Sequence, residues 1–330
     1  MNNQTIIKLH DDIPIINQPL NQKKAQIDKF SLSKIILSQD IKDELNDYLE
    51  RNGFVSNSFN KKTNTKLVDH WVKRNWLHSL HYYMWTRKNH LLDKGDTFED
   101  SQKKVLESYV NEDGFPRPIK KTERSIITLG EGCKIPFKTV STVLQKRMSV
   151  RSCPARAVPK EEVSAVLYQG TQLLRINRKN DLEEDILSAV DSFGAAFDVY
   201  LCIYNVDGLA SGIYFYDIQT TDLDLVKSVD ESTLRKEMYK AQTEQIIAHN
   251  ASYAVFLVAE FERYQWRYRH EAALQHIFIN AGQIMNPLIL ISTNFGHFTH
   301  ISPAINDKLI NNIMGHSEIN HQTVYILSAG

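Results

Sequence analysis

The chain has 330 residues, long enough for one large domain or two modest ones around a substantial core. Its 39 basic and 39 acidic side chains cancel, so no global field favours nucleic acid or an anionic membrane surface. No run of eighteen apolar residues offers a membrane span, and residues 1–21 lack the basic-then-apolar order of a signal peptide. A soluble, cytoplasmic protein is expected. Cys133, Cys153 and Cys202 stand alone, which argues against a thiolate metal site or a disulfide framework. His78 with His81, and His297 with His300, could each share a face. Neither pair has a carboxylate or cysteine at ligand spacing, so packing roles are expected and no metal.

Residues 1–30 are polar, carry Pro14 and Pro19, and read as an extended or loosely attached arm. Residues 31–53 follow a helical period through Ile35, Ile36, Ile41, Leu45 and Leu49 and stop at Gly53. A polar loop over 56–66 leads to an aromatic helix over 68–85 that holds Trp71, Trp76, Tyr82, Tyr83 and Trp85. Such a stripe is ordinarily core; a peptide platform is the alternative. Residues 88–125 are charged, with a break at 114–118. A boundary near 125 therefore separates a mostly helical N-terminal extension, 1–125, from a second domain, 126–330.

The second domain alternates. Helices are expected over 137–147 and 160–170, then a polar segment at 175–185. Strands follow over 197–204 and 213–216 around a turn at 205–208, a helix over 231–249 and a buried strand over 253–260. A long apolar helix over 267–295, kinked or interrupted by Pro287, precedes a last strand over 323–327. The pattern predicts an α+β fold with a buried central helix.

The chemistry concentrates first in Gln145-Lys146-Arg147-Met148-Ser149-Val150-Arg151. Arg147 and Arg151 lie four apart, so a helical turn would aim both guanidinium groups one way, with the Ser149 hydroxyl between them. Two guanidinium forks and a hydroxyl suit a phosphate monoester. The plainer alternative is a basic helix end that complements the helix dipole.

Several segments, in order, resemble the SagB-type dehydrogenases of the nitroreductase-fold flavoenzymes. Residues 146–151 look like the Arg-Arg-Ser-x-Arg motif that opens that fold. Residues 191–200, Asp-Ser-Phe-Gly-Ala-Ala-Phe-Asp-Val-Tyr, are similar to the segment that crosses the flavin. Residues 207–217, Asp-Gly-Leu-Ala-Ser-Gly-Ile-Tyr-Phe-Tyr-Asp, resemble the Glu-Gly-Leu-x-x-Gly-Leu-Tyr-x-Tyr-Asp signature, the most specific match. Residues 280–288 follow the Glu-Ala-Gly-His-x-x-Gln-Asn-Leu helix, and 324–330 the closing strand.

The resemblance covers about 125–330. It implies a mostly antiparallel sheet flanked by helices, flavin mononucleotide (FMN) as cofactor, NAD(P)H as a reductant, and a homodimer with the long helix at its interface. It implies a ribosomally made precursor peptide as substrate and a place in a biosynthetic enzyme complex, with the extension as a docking region. Arg147, Ser149, Arg151, Ser192, Gly194, Gln283 and Asn286 would hold the cofactor. Gly194 would suit close backbone approach, although a plain turn ahead of a strand explains Ser192 and Gly194 equally simply.

The chain also departs from the pattern. The family's catalytic Lys-Tyr pair is matched by Arg267-Tyr268, with Arg263-Tyr264 as a second register. Arginine stays charged and cannot serve as a base, whereas Tyr268 can move a proton. Asn280 and Gln283 stand where the family has Glu and His. Azoline-to-azole dehydrogenation is expected first. Reduction of a dehydroamino acid in a lanthipeptide-type product is the alternative, followed by a generic small-molecule reductase and a silent scaffold subunit.

Overall fold

A computed structural model describes residues 6–10, 13–18, 23–26, 71, 73–86, 98–115, 120, 127–152, 154–182, 196–316 and 319–330. The helix expected over 31–53 lies outside them. Two compact units divide the chain, Met1–Leu92 and Asp93–Gly330. The boundary expected near 125 falls inside the second unit.

In the first unit, β1 (Ile6–His10), β2 (Ile13–Gln18) and β3 (Lys23–Gln26) form an antiparallel meander with Ile7 opposite Ile16. The expectation of an extended or loosely attached arm over 1–30 does not include this strand pairing. The β-branched residues Ile6, Ile7, Ile13, Ile15 and Ile16 outweigh the polar composition around them. Helix α1 spans Leu77–Thr86. Trp71 stacks on Tyr83 at 6.5 Å and meets Trp76 edge-on at 5.9 Å. Trp76 stays 59% exposed and Tyr83 48%, so those two rings are not core.

The second unit runs α2 (Phe98–Asp113), β4 (Ile127–Thr128), α3 (Val140–Lys146), α4 (Lys160–Gly170), α5 (Gln172–Leu182), β5 (Phe197–Ile203), β6 (Gly212–Asp217), β7 (Asp222–Ser228), α6 (Glu231–Ala241), α7 (Ile247–Asn250), β8 (Tyr253–Glu260), α8 (Phe261–Arg267), α9 (Ala273–Phe295), β9 (Thr299–Ser302), α10 (Asp307–Met314) and β10 (His321–Ala329). Seven strands make one sheet in the order β4-β7-β6-β5-β8-β10-β9, and every adjacent pair is antiparallel. The α+β architecture expected from the sequence is present.

Side chains alternate across β5 and β8, and both faces are covered. Val199, Leu201, Ile203, Val255 and Leu257 pack with α4 and α9 through Val163, Leu167, Ile284 and Leu288. Tyr200, Cys202, Phe256 and Val258 pack with α6 and α10 through Leu234, Met238, Ile310 and Met314. Every residue of β5 and β8 is therefore buried, which is why both read as apolar runs apart from Asp198 and Glu260. Helices α4 and α9 approach closely at Gly170, where a Cβ would lie 2.4 Å from Leu288 Cδ2. The expected helix over 231–249 is broken: Thr243 and Glu244 take left-handed conformations between α6 and α7. The long helix starts at Ala273, later than expected, and runs unbroken through Pro287. No described helix is long and apolar enough to cross a membrane.

Residues 207–217, the most family-specific stretch, build a hairpin. Gly212 has φ +156, and a Cβ there would sit 2.7 Å from the Lys227 carbonyl oxygen. The Tyr214 hydroxyl donates to the Ala210 carbonyl at 3.0 Å, and Asp217 accepts from the Gln219 amide at 2.9 Å. Backbone geometry accounts for the glycine, the first tyrosine and the aspartate.

On the α6–α10 side, Tyr200 is buried with its hydroxyl 3.0 Å from Lys120 Nζ, which donates to it, and 2.9 Å from His316 Nε2. Burial, with His321 and Lys120 nearby, pushes the His316 pKa down from 6.5 to about 4. A histidine held neutral in the native state binds its proton more readily once unfolded. Stability therefore falls as pH drops from 6.5 towards about 4. Urea unfolding across that window should show the loss, and His316→Gln should flatten it. An equally steep dependence in the variant would exclude His316 as its source.

Candidate functional site

Helix α3 opens at Thr139, whose side chain accepts the Thr142 amide at 3.2 Å. It closes at Arg147, whose extended backbone (φ −67, ψ 108) caps the helix and donates its N–H to Val143. The chain then joins the sheet edge. Ser149 forms a parallel bridge with Thr299 of β9, and the Val150 N–H donates to the Thr299 carbonyl at 3.0 Å. The helical turn expected around Arg147 and Arg151 is therefore absent, because the Val150 amide is satisfied by β9. Arg147 is extended, Ser149 sits on the bridge to β9, and the chain bends at Arg151. All three are exposed, and neither guanidinium meets a carboxylate among the described residues.

Two further cations close the C-terminal end of α9. Lys138 donates to the Asn294 carbonyl, and Arg156 Nη2 to the Gly296 carbonyl at 3.4 Å. Both meet carbonyls at the negative end of the helix dipole.

His297 follows the α9 cap and is buried. Its Nδ1 lies 3.0 Å from the Tyr253 hydroxyl and its Nε2 2.8 Å from Glu162 in the first turn of α4. Tyr253 reaches Ser292 at 3.1 Å. Burial, partly offset by Glu162, lowers the His297 pKa. Sequence reasoning missed this network because Glu162 and His297 lie 135 positions apart, so no local spacing could pair them. His300 pairs with Gln245 at 3.0 Å, so the two histidines play separate packing roles.

The Arg-Tyr pair lies where α8 ends. Tyr268 caps the helix, its N–H donating to Tyr264 at 3.0 Å, and the two rings are 4.7 Å apart. The Arg267 guanidinium lies 5.0 Å from the Tyr268 ring centre. Tyr264 is buried and its hydroxyl accepts the Asn280 side-chain N–H at 2.9 Å. Burial, reinforced by Tyr268, holds the Tyr264 pKa well above the ordinary tyrosine range. Of the two registers, Arg263-Tyr264 is buried and Arg267-Tyr268 is half-buried, which leaves the second as the accessible pair.

Gln283 and Asn286 both sit on the outward face of α9 with Ile279. Pro287 lacks an N–H, so the Gln283 carbonyl loses its usual intrahelical donor. Ser192 and Gly194 lie outside the described residues. The candidates thus fall into a basic sheet edge, an Arg-Tyr helix end and a polar helix face. Among the described residues, no group of three or more His, Cys, Asp or Glu could hold a metal ion.

These features define an α+β protein with a central antiparallel sheet flanked by helices. No family model matches the chain. Over 251 residues it is 24% identical to the trifolitoxin operon protein TfxC of Rhizobium leguminosarum bv. trifolii, covering 72% of this chain and 67% of that one. Among solved structures, it is similar to a protein assigned as a nitroreductase from Anabaena variabilis. That match is 16% identical and covers 68% of this chain but only 47% of the other, with a TM-score of 0.46. It is also similar to a chain of the Escherichia coli microcin synthetase McbBCD complex with truncated pro-MccB17 bound. There the identity is 12%, the coverage 74% of this chain and 98% of that one, and the TM-score 0.43.

Proposed function

We propose that this chain is an FMN-dependent oxidoreductase of the SagB type that tailors a ribosomally synthesised peptide by converting an azoline to an azole. The observation that carries the reading is the exposed run Arg147–Ser149–Arg151, fixed to β9 by the Val150 amide and presenting two guanidinium groups with no carboxylate partner among the described residues. The similarity to a protein of the trifolitoxin operon supports a peptide substrate.

When bound, FMN would supply a two-electron acceptor for hydride from the substrate carbon. The chain's own groups do the rest. Arg147 and Arg151 bind the phosphate and Ser149 donates its hydroxyl, while the outward amides of Gln283 and Asn286 offer further polar contacts. Tyr268 is placed to move the proton that leaves the ring as the hydride departs, and the Arg267 guanidinium lies over its ring at 5.0 Å. Exposed Leu274, Phe278 and Ile279 on α9 support a homodimer that shares this helix.

One observation favours a second reading. A permanently charged Arg267 at 5.0 Å from the Tyr268 ring suits polarising an acceptor while Tyr268 delivers a proton, as in reduction of a dehydroamino acid with NAD(P)H as donor.

Purified protein loaded with FMN and given a synthetic thiazoline peptide in air should yield the thiazole and hydrogen peroxide. Anaerobic NADPH should leave the flavin absorbance unbleached; fast bleaching without thiazole formation would favour the reductive reading, and protein that refuses FMN would exclude both. Tyr268→Phe should lower turnover by about 10²–10⁴-fold, the usual contribution of a positioned acid or base, with flavin content unchanged. Full activity in that variant would remove Tyr268 from the reaction.

A further inference from the structure

The residue after Tyr268 is held by a helix that lies before the sheet in sequence. Arg269 Nη1 lies 3.0 Å from Glu112 Oε2, and its Nη2 lies 2.6 Å from Asp113 Oδ2. The same guanidinium lies 3.7 Å from the centre of the Tyr109 ring. Three residues earlier, Trp266 donates its indole N–H to the Gly114 carbonyl at 3.0 Å and meets Tyr109 edge-on at 6.1 Å.

The end of α2 is otherwise badly furnished. Glu112 and Asp113 occupy its last turn, which contains no basic residue, so two carboxylates face the negative end of the helix dipole. Arg269 answers both charges with one fork, and Trp266 satisfies the carbonyl of the left-handed Gly114 cap. A single exposed ion pair would carry little weight. Here two ion pairs, a cation–π contact, an indole hydrogen bond and an aromatic pair converge on one point, bracketing Arg267 and Tyr268 from both sides.

We infer that Arg269 is a positioning residue for Tyr268, and that α2, through Glu112, Asp113 and Tyr109, is the element that fixes the Arg-Tyr pair in place. This rests on the proposed role of Tyr268. Where α8 ends, Tyr268 already has non-helical dihedrals (φ −104, ψ 77), so its ring direction depends on where the following residue is anchored. Release of that anchor lets the phenol drift, and displacement of about 1 Å can cost about 10²-fold in rate.

The test is a double-mutant cycle on FMN-loaded protein with the synthetic thiazoline peptide, read beside hydrogen exchange of the 264–274 backbone. Arg269→Ala should lower kcat by about 10–100-fold with KM and flavin content unchanged. Glu112→Gln/Asp113→Asn, which alters exposed side chains only, should do the same if Arg269→Ala folds poorly. Arg269→Lys, which keeps the charge but loses the fork, should recover part of the rate. Added to Tyr268→Phe, Arg269→Ala should cost nothing further, because it acts only through that hydroxyl. Both clasp variants should speed exchange of the Tyr268 amide. Wild-type kcat and exchange in the clasp variants, or losses that multiply in the Tyr268→Phe background, would overturn the inference while a slow Tyr268→Phe preserved the site. A Tyr268→Phe protein as fast as wild type would overturn both together.

Discussion

Removing both guanidinium groups, in Arg147→Ala/Arg151→Ala, should weaken FMN binding by roughly 10²–10⁴-fold. A hydrogen bond to a charged group contributes about 1.5–3 kcal/mol, and the two exposed side chains have no partner among the described residues to compensate one another. Each single variant should lose about half of that in free energy. Flavin fluorescence titration measures the constants directly, and absorbance after desalting reports retention. Both arginines are exposed, so the affinity should also fall as salt rises, and it should fall less steeply in the double variant. Val150 holds the segment through its backbone, so neither substitution should disturb the fold. Unchanged flavin content in the double variant would locate the phosphate elsewhere.

The second large effect is structural. Arg178 is 1% exposed and donates to Asp198 at 2.7 Å and to the Phe197 carbonyl, joining α5 to the start of β5. Two charges inside the core are costly to desolvate, and the cost is repaid only while both are present. Asp198→Ala strands a guanidinium against apolar neighbours and should lower unfolding free energy by about 3–5 kcal/mol. A volume-matched Arg178→Met/Asp198→Leu double variant should lose little or gain stability, since it removes the desolvation penalty with the attraction. Urea midpoints at constant slope separate the outcomes. A single variant as stable as wild type would mean that solvent reaches the pair.

The strands β5, β8 and β10 and the helix α4 were legible because their apolar runs are long and unambiguous. What escaped was short or framed by long-range contacts. β7 alternates as Asp-Leu-Asp-Leu over 222–225, a signal that was present and unread. α10 carries an Asn306 cap that accepts the Leu309 amide and a left-handed Gly315, both visible start and stop marks. β9 has only four residues and no pattern of its own; its identity comes from β10 beside it. At the candidate site, the residue types at 147–151 and 267–268 were readable, but their geometry was not. Arg147 and Arg151 look helical by spacing and are not, because the Val150 amide, three residues past the Arg147 cap, pairs with a strand far along the chain. The clasp at Arg269 and the His297 network were invisible for the same reason: each joins residues more than a hundred positions apart.

The order of the sheet has a temporal consequence. The arginine run hangs from β9, β9 has β10 as its neighbour strand, and β10 is laid against β8. Residues 147–151 are translated early, yet β9, the strand they pair with, gains its own neighbour only once residues 321–329 have emerged. Under the proposed function, cofactor capture would wait for that pairing, and a nascent chain interrupted before β10 would leave the ribosome with β9 lacking its neighbour strand.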